Sequence, residues 1–327
     1  MQYDLTQQRP LLDEQGLPVQ NGLLAKPLPE YRRADVRAKR GMIREKECWF
    51  IGNRRFSVLL SISASGRHTV DAITLVDFEA ERAEWKIKRR WYSEKNVTIA
   101  ESAEHGDTSS FGKHHSLYFK NDHGVRTLVA QIERFGEEGS LYIRAEISEA
   151  PEDVLASVSA IDGGFRFTQH HNWLRVKGQI CYGREVFELD PAETFATLTW
   201  ERGAWKPYST GWVCSGSGVT DAGLPFGLHL TSQAIGGVQE NMAFIDGTGY
   251  PLSALTFELP PKWNDMESWT IANEQLKLEF IPLLTLTDKS KVRRVYGRFT
   301  GSVTLDSGET HAFVNLIGFA EQTDKKE

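Results

Sequence analysis

The chain has 327 residues, of which 40% are hydrophobic and 25% are charged, the proportions of an ordinary globular protein. Its formal net charge of −6 opposes binding to a nucleic-acid backbone, and no apolar run approaches the ~20 residues that a membrane-spanning helix needs. Its three widely spaced cysteines are not a disulfide framework. We therefore expect a cytoplasmic protein, a monomer or homodimer, that neither binds nucleic acid nor spans a membrane.

Apolar side chains alternate with polar or small ones in the first half of the chain, which predicts β-strands. The strand that ends at Gly66 places four apolar side chains on one face: Phe56, Val58, Leu60 and Ile62. The clearest hairpin follows, with alternating arms at residues 128–132 and 141–147 and with Gly136 and Gly139 framing the turn. Both patterns indicate antiparallel sheets.

Residues 148–167 are the least strand-like interval, because a proline and a pair of glycines interrupt the alternation. One hydrophobic core usually organises at most ~250 residues, so a chain of this length is expected to form two domains. We place the boundary in this interval and predict domains at residues 1–160 and 161–327. The first includes an extended basic segment from Arg32 to Lys46, which is typical of a solvated surface.

Residues 198–218 concentrate three of the nine tryptophans with four glycines. Aromatic walls with a few polar anchors line ligand cavities, and the same residues also fill the core of a closed barrel. Arg202 lies between Trp200 and Trp205, where its guanidinium would bind a carboxylate or enolate of a ligand. The alternative is a structural arginine that pairs with a carboxylate or with backbone carbonyls. A turn before Trp212 would bring it and Trp205 onto facing strands.

Glu240 and Asn241 are adjacent, so on a regular strand only one of them faces a cavity. A buried Glu240 with a raised pKa would act as a general acid or base at a double bond. The alternative is an internal ion pair between Glu240 and Arg202, and both interpretations place these two residues close together. His229 lies in an alternating segment nearby, and it either faces the cavity or is an ordinary core or surface histidine.

Turn signals at Asp246-Gly247 and at Gly308 predict two further hairpins in the second half of the chain. Helical periodicity is scarce along the whole sequence. Short strands joined by glycine-containing turns therefore predict an all-β sandwich or barrel architecture.

Spacings typical of metal and nucleotide sites are missing from the sequence. The adjacent histidine pairs, His114-His115 and His170-His171, point to opposite faces of a strand, which disfavours joint ligation of a metal. The SGSG sequence at residues 215–218 fits neither a nucleophile elbow nor a phosphate-binding loop, and we interpret it as a tight turn packed against the tryptophans. We predict no metal and no other cofactor.

Three motifs are the most specific in the sequence: W-x-R-G-x-W at residues 200–205, Glu-Asn at 240–241 and Gly-Phe-Ala-Glu at 318–321. With their flanking segments they resemble the bacterial family known as domain of unknown function 2804, and the resemblance covers nearly the whole chain. Two positions depart from the family's pattern, since Glu201 replaces a glycine and Phe319 replaces a tryptophan. The resemblance implies an all-β protein of two tandem lipocalin-like (calycin-type) antiparallel β-barrels with few short helices. It further implies kinship with the carotenoid hydratase superfamily and ligand sites in or between the barrels.

The leading hypothesis is a protein that binds a hydrophobic, lipid- or isoprenoid-like small molecule in or between the barrels. The predicted ligand contacts are Trp200, Trp205, Trp212 and His229, and the predicted catalytic residues are Glu240, Arg202 and Asn241. In the catalytic version Glu240 transfers a proton while Arg202 or Asn241 stabilises developing charge, as in a cofactor-free hydratase, dehydratase or isomerase. The alternatives are a non-catalytic carrier of lipophilic molecules and a structural or stress protein with filled barrels.

Overall fold

The chain is built from β-strands. The computed structural model describes residues 9–24, 29–92, 95–122, 124–147, 153–206, 211–287 and 292–323. Within these residues the helical segments are two 3-10 turns of three residues each, Arg33–Asp35 and Arg40–Met42. None of the described helical segments has the length and apolar character needed to cross a membrane. The predicted all-β class is confirmed.

The part of the chain up to Ala204 forms strands β1 to β17. Their bounds are β1 Arg9–Pro10, β2 Gly22–Leu24, β3 Pro29–Glu30, β4 Ile43–Gly52, β5 Phe56–Ser65, β6 His68–Asp77, β7 Arg82–Trp91, β8 Val97–Thr98, β9 Thr108–Gly112, β10 His115–Asp122, β11 Val125–Phe135, β12 Gly139–Ile147, β13 Leu155–Ile161, β14 Gly164–Arg175, β15 Lys177–Tyr182, β16 Glu185–Leu189 and β17 Phe195–Ala204.

Two curled sheets enclose the first hydrophobic core. An eight-stranded sheet has the order β2-β13-β14-β17-β4-β5-β6-β7, and a seven-stranded sheet has the order β16-β15-β12-β11-β10-β9-β8. Alternate residues of both sheets, such as Leu60 of β5 and Leu128 of β11, meet in one core. The predicted hairpin of β11 and β12 is confirmed, and Gly136 and Gly139 take the positive φ angles that its turn requires. These sheets form the first barrel.

A nine-stranded antiparallel sheet forms the second barrel, in the order β21-β20-β19-β18-β26-β25-β24-β23-β22. Its strands are β18 Val213–Val219, β19 Pro225–Thr231, β20 Met242–Ile245, β21 Thr248–Pro251, β22 Thr256–Glu258, β23 Trp269–Ala272, β24 Leu276–Thr287, β25 Val292–Thr304 and β26 Thr310–Thr323. The hairpins predicted at Asp246-Gly247 and at Gly308 are confirmed as β20-β21 and β25-β26. The architecture agrees with the expected pair of lipocalin-like barrels.

The hydrophobic cores divide the described chain between Ala204 and Trp212. The predicted boundary at residue 160 lies inside the first core, to which both Val158 and Phe165 belong. The interruption that suggested a boundary is instead the turn of the β13-β14 hairpin, where Gly163 has a φ of +71°. The independence of the two barrels as domains stays a prediction.

The SGSG sequence at residues 215–218 is part of strand β18, and its interpretation as a tight turn is wrong. Its glycines allow close packing, as expected, but the neighbours are not tryptophans. A Cβ on Gly216 would lie 2.9 Å from the Phe299 ring, and one on Gly218 would lie 2.5 Å from Leu316. The turn predicted at Pro207 to Gly211 is not tested, because all of it except Gly211 falls outside the described residues.

A third hydrophobic cluster joins the two barrels. Phe50 of β4 and Val76 of β6 pack against Tyr296, Ile317 and Phe319 of the second barrel. The centroid of the Phe50 ring lies 5.0 Å from that of Phe319 and 6.4 Å from that of Tyr296. This cluster, which we call the junction cluster, holds the outer face of the eight-stranded sheet against the nine-stranded sheet.

Candidate active site between the two barrels

The outer face of β14 carries polar side chains toward the second barrel. Arg166, Thr168 and His170 occupy alternate positions on this face. Phe165 and Phe167 lie on the opposite face of the strand and belong to the first core. Successive side chains of a strand point to opposite faces, so one strand serves both the core and the junction.

A cavity of about 120 Å³ lies at this junction, and we call it the inner cavity. Both barrels contribute charged or titratable side chains to its wall, among them Lys46, Arg166, His170 and Glu201 from the first barrel and His229 and Glu240 from the second. The inner cavity accommodates a small polar group and a few carbon atoms.

Glu240 is only 2% exposed, and its carboxylate is held by hydrogen bonds from the first barrel. Arg166 Nη1 donates to it at 2.7 Å, Thr168 Oγ1 donates at 2.9 Å, and Ser157 Oγ donates as well. Burial acts to raise the pKa of Glu240, but the Arg166 guanidinium and His170 outweigh burial and hold that pKa well below its usual range. The carboxyl group is therefore ionised, contrary to the raised pKa that we predicted.

Arg202 does not pair with Glu240, because it points to the opposite face of the sheet. Its guanidinium donates to the carbonyl oxygen of Ala100 at 2.5 and 3.2 Å and to the carbonyl oxygens of Lys46 and Glu201 at 2.8 Å each. Burial lowers its pKa to about 10, which leaves it charged at neutral pH. The predicted Glu240–Arg202 pair is wrong, and the contacts of Arg202 match the structural alternative.

His170 and His229 stack face to face at the junction, one from each barrel. Their ring centroids lie 3.6 Å apart at an interplanar angle of 24°. His170 Nε2 lies 3.6 Å from Glu240 Oε2, and His170 Nδ1 lies 3.2 Å from Thr199 Oγ1. Among the described residues, neither ring nitrogen of His229 has a hydrogen-bond partner. Burial, assisted by His170, lowers the pKa of His229 well below its usual value, so this imidazole is neutral.

Lys46 also lines the inner cavity. The two carboxylates that influence it are taken by arginines: Arg166 Nη2 lies 2.8 Å from Glu201, and Arg294 pairs with Glu321. Burial acts against the charge of Lys46, but Glu321 and Glu201 outweigh burial and raise its pKa. Lys46 is therefore protonated, yet it forms no ion pair within the part of the chain that the structure describes.

The side chains of His170, His229 and Glu240 place three possible ligand atoms within 4.8 Å of one another, close enough to share a metal ion. Two features argue against a cation there. The imidazole lone pairs lie in two nearly parallel ring planes, which disfavours their meeting at one point, and the Arg166 guanidinium already lies 2.7 Å from the carboxylate.

A second pocket of about 310 Å³ shares Ile235 with the inner cavity, and we call it the outer pocket. Trp205 lines it. The loop that carries Ile235 turns at Gly236 and Gly237, whose φ angles are +56° and +81°. A Cβ on Gly236 would lie 2.5 Å from the carbonyl oxygen of Ala160, so this loop of the second barrel rests directly on β13. Ile235 forms the wall between the two spaces.

The other predicted site residues are dispersed. Trp200 lies inside the first barrel, where it lines a separate pocket of about 240 Å³. Trp212 packs against Trp269 in the second core, with ring centroids 4.7 Å apart. Asn241 accepts a hydrogen bond from the backbone N–H of Thr231 at 2.7 Å. The structure thus brings only Trp205, His229 and Glu240 to the junction, and the functional roles of all the predicted residues stay predictions.

Sequence analysis missed Arg166, His170 and Lys46 as site residues. One available signal was the alternation in F-R-F-T-Q-H at residues 165–170, which places arginine, threonine and histidine on one face of a strand. A second was the spacing of Lys46 and Cys48, which places both on the same face of β4. In the structure both residues line the inner cavity. Neither signal says that the polar face meets another barrel.

The family model for the domain of unknown function DUF2804 matches residues 2–326. Among solved structures, an AttH-like protein from Nitrosomonas europaea superposes with a TM-score of 0.55 at 11% identity, covering 91% of this chain and 98% of its own. Kievitone hydratase from Nectria haematococca gives 0.51 at 10% identity, with 97% and 99% covered, and CghA gives 0.55 at 11%, with 96% and 97% covered. At such identities the similarity shows the shared fold. No curated protein matches by sequence.

Proposed function

Because the chain belongs to the DUF2804 family, whose function its name leaves open, we propose a function from the geometry of the junction. The protein binds a small hydrophobic molecule between its barrels and moves a proton on it, as a cofactor-free hydratase, dehydratase or isomerase. His229 is the proton-transferring group, and Glu240 balances the charge that His229 acquires. This differs from the sequence-based hypothesis, in which Glu240 itself transfers the proton.

The observation that carries the proposal is the state of His229. Its ring is 1% exposed and lines the inner cavity, and both of its nitrogens lack a hydrogen-bond partner among the described residues. Buried polar atoms are nearly always paired, because an unpaired one costs about 1–3 kcal/mol. A structural histidine would therefore be expected to donate or accept at least one hydrogen bond. An unpaired neutral imidazole beside a cavity is suited to meet a substrate.

The neighbours of His229 support proton transfer. A neutral imidazole accepts a proton from a carbon or hydroxyl group of the substrate, and its conjugate acid then returns the proton to another atom. The imidazolium would lie within 4.8 Å of the ionised Glu240 carboxylate, which favours the charged form. Arg166, Thr168 and Ser157 hold that carboxylate in place. Positioned acid–base groups of this kind accelerate reactions by about 10²–10⁴-fold.

One of the similar structures is named as a hydratase, and adding or removing water is among the reactions that such a site can perform. A shift of a double bond is another, because a single base can take a proton at one carbon and return it at the next. The apolar share of the outer pocket, with Trp205 in its wall, suits a hydrophobic substrate.

The test begins with the native ligand. The protein is purified from its own host and extracted with organic solvent, and the extracted molecule is identified by mass spectrometry. That molecule is then incubated with the protein in deuterated water, and its deuterium content is followed with time. We expect the wild type to exchange protons of the ligand, and we expect His229→Asn to bind the ligand but to exchange about 10²–10⁴-fold more slowly.

The matched control is His114→Asn, which changes a half-exposed histidine that contacts Glu133 away from the junction and should leave exchange unchanged. Equal exchange by His229→Asn and the wild type would refute the role of His229. A ligand that binds without any exchange would indicate a carrier, and an empty extract would favour filled barrels.

A further inference from the structure

We propose that the substrate is a lipophilic carboxylic acid whose carboxylate lies against Lys46 in the inner cavity and whose apolar body lies in the outer pocket beside Trp205. The inference rests on the proposed function and specifies the substrate class of the same site. It depends on three features: the pairing of the charges around Lys46, the size of the inner cavity and the wall that it shares with the outer pocket.

The charges around Lys46 are paired with one another and not with it. Glu201 binds Arg166 at 2.8 Å, Glu321 binds Arg294, and Glu240 binds Arg166 at 2.7 Å. Three carboxylates therefore already have guanidinium partners. Lys46 lines the inner cavity and has no ion-pair partner within the described part of the chain, so an anionic group of a ligand in the cavity would complete its contacts.

The position of Lys46 follows from the strand that carries it. On β4, Lys46 and Cys48 face the junction, whereas the intervening Glu47 faces the first barrel, where it accepts a hydrogen bond from Trp49 Nε1 at 2.9 Å. Lys46 is paired across the sheet with Glu201 of β17, which lines the same cavity. Lys46 therefore belongs to a paired strand in the wall of the cavity.

The sizes of the two spaces assign the two ends of the ligand. The inner cavity of about 120 Å³ holds a carboxylate and a few carbons but not a large apolar body. The outer pocket of about 310 Å³ is the larger of the two spaces and holds such a body. A molecule that passes Ile235 would place its carboxylate at Lys46 and its nearest carbons beside His229.

The test uses decanoate and decanol as probes, because they share an apolar chain and differ in the charged end. Binding of each to the full-length protein is measured by titration calorimetry at neutral pH. We expect the wild type to bind decanoate about tenfold or more tightly than decanol, since a hydrogen bond to a charged group is one of the stronger polar contacts. Lys46→Met should abolish this preference while decanol still binds, and Lys46→Arg should retain most of it.

Lys88→Met is the control, because Lys88 is exposed on β7 and its loss should leave the preference unchanged. Thermal unfolding of each variant shows whether it is folded. The proposal would be overturned by any of three results. The wild type could bind the two probes equally, it could bind neither probe, or Lys46→Met could keep the preference for decanoate. If the preference fails while His229-dependent deuterium exchange persists, only the substrate class is wrong. If that exchange is also missing, the proposed function fails as well.

Discussion

The contacts of each titratable group at the junction fix its charge. Glu240 is ionised because the Arg166 guanidinium and His170 outweigh the effect of burial on its pKa, and His229 is neutral because burial removes water from an imidazole that has no hydrogen-bond partner among the described residues. A neutral base beside a fixed negative charge can accept a proton, because the negative charge stabilises the cation that forms. The negative charge of Glu240 and the neutral state of His229 therefore complement each other, although different residues determine them.

The neutral histidines make the stability of the protein depend on pH. Burial lowers the pKa of His229 and of His171 well below 6.5, whereas the unfolded chain binds their protons from about pH 6.5 downward. The stability that they contribute is therefore fully present above pH 6.5 and is lost as the pH falls toward their folded pKa values. We expect a slope of up to about 1.4 kcal/mol per pH unit for each histidine.

Urea denaturation between about pH 7 and pH 5 measures this slope. His229→Asn should show a shallower dependence than the wild type by up to the share of one histidine, whatever its stability at neutral pH. Parallel curves would show that His229 is already protonated in the folded chain or accepts its proton without cost.

At the residue scale, the sequence indicated which side chains are unusual but not which of them meet. Glu240 and His229 were recognised, but Arg202 was chosen as the partner of Glu240 although Arg166 occupies that place. The choice depends on which face of the eight-stranded sheet packs on the second barrel. That packing is set by contacts between distant strands, which the local alternation does not encode.

At the scale of strands, alternation was a reliable guide where it was uninterrupted, as in β5 and in the β11-β12 hairpin. It failed for β13, because a proline precedes this strand and two glycines follow it, and both interrupt the alternation. It failed again for β18, because glycines that usually mark turns serve here to let neighbouring strands and rings approach.

The glycines of β18 and β26 provide a test of this close approach. A Cβ on Gly318 would lie 2.2 Å from the carbonyl oxygen of Ser215, so the paired strands would have to separate. We expect Gly318→Ala to lower the free energy of unfolding by at least about 1–3 kcal/mol, the usual cost of overpacking. Thermal and urea denaturation measure the loss.

Gly41→Ala is the matched control, because nothing lies within 4 Å of a Cβ at that position and its φ is not positive. Its effect should stay within about 0.5 kcal/mol. A loss of similar size in both variants would mean that close contact between β18 and β26 is not the reason for the glycine.

At the scale of the whole molecule, the resemblance to a two-barrel family predicted the architecture, and alternation alone left a sandwich equally open. The placement of the site at the junction follows from how the barrels pack, and the predicted boundary inside the first core obscured it. The junction cluster around Phe50 now explains how two separate hydrophobic cores are held in one arrangement.

The junction cluster predicts that the barrels unfold together. Phe50→Ala removes a buried ring that contacts both Tyr296 and Phe319, and large-to-small changes of this kind cost about 3–5 kcal/mol. We expect calorimetry to show one transition for the wild type and two for Phe50→Ala. Phe187→Ala, which truncates a ring of the first core only, should lower the transition temperature without splitting it. A single transition in Phe50→Ala would show that other contacts couple the barrels.

The stacked pair of His170 and His229 has a consequence for how such a protein can change over generations. One ring is encoded in the part of the gene for the first barrel and the other in the part for the second, and the same is true of Arg166 and Glu240. Recombination that exchanged one barrel alone would join halves that had not been selected together. The two halves of the gene must therefore be inherited as one unit for these contacts at their boundary to persist.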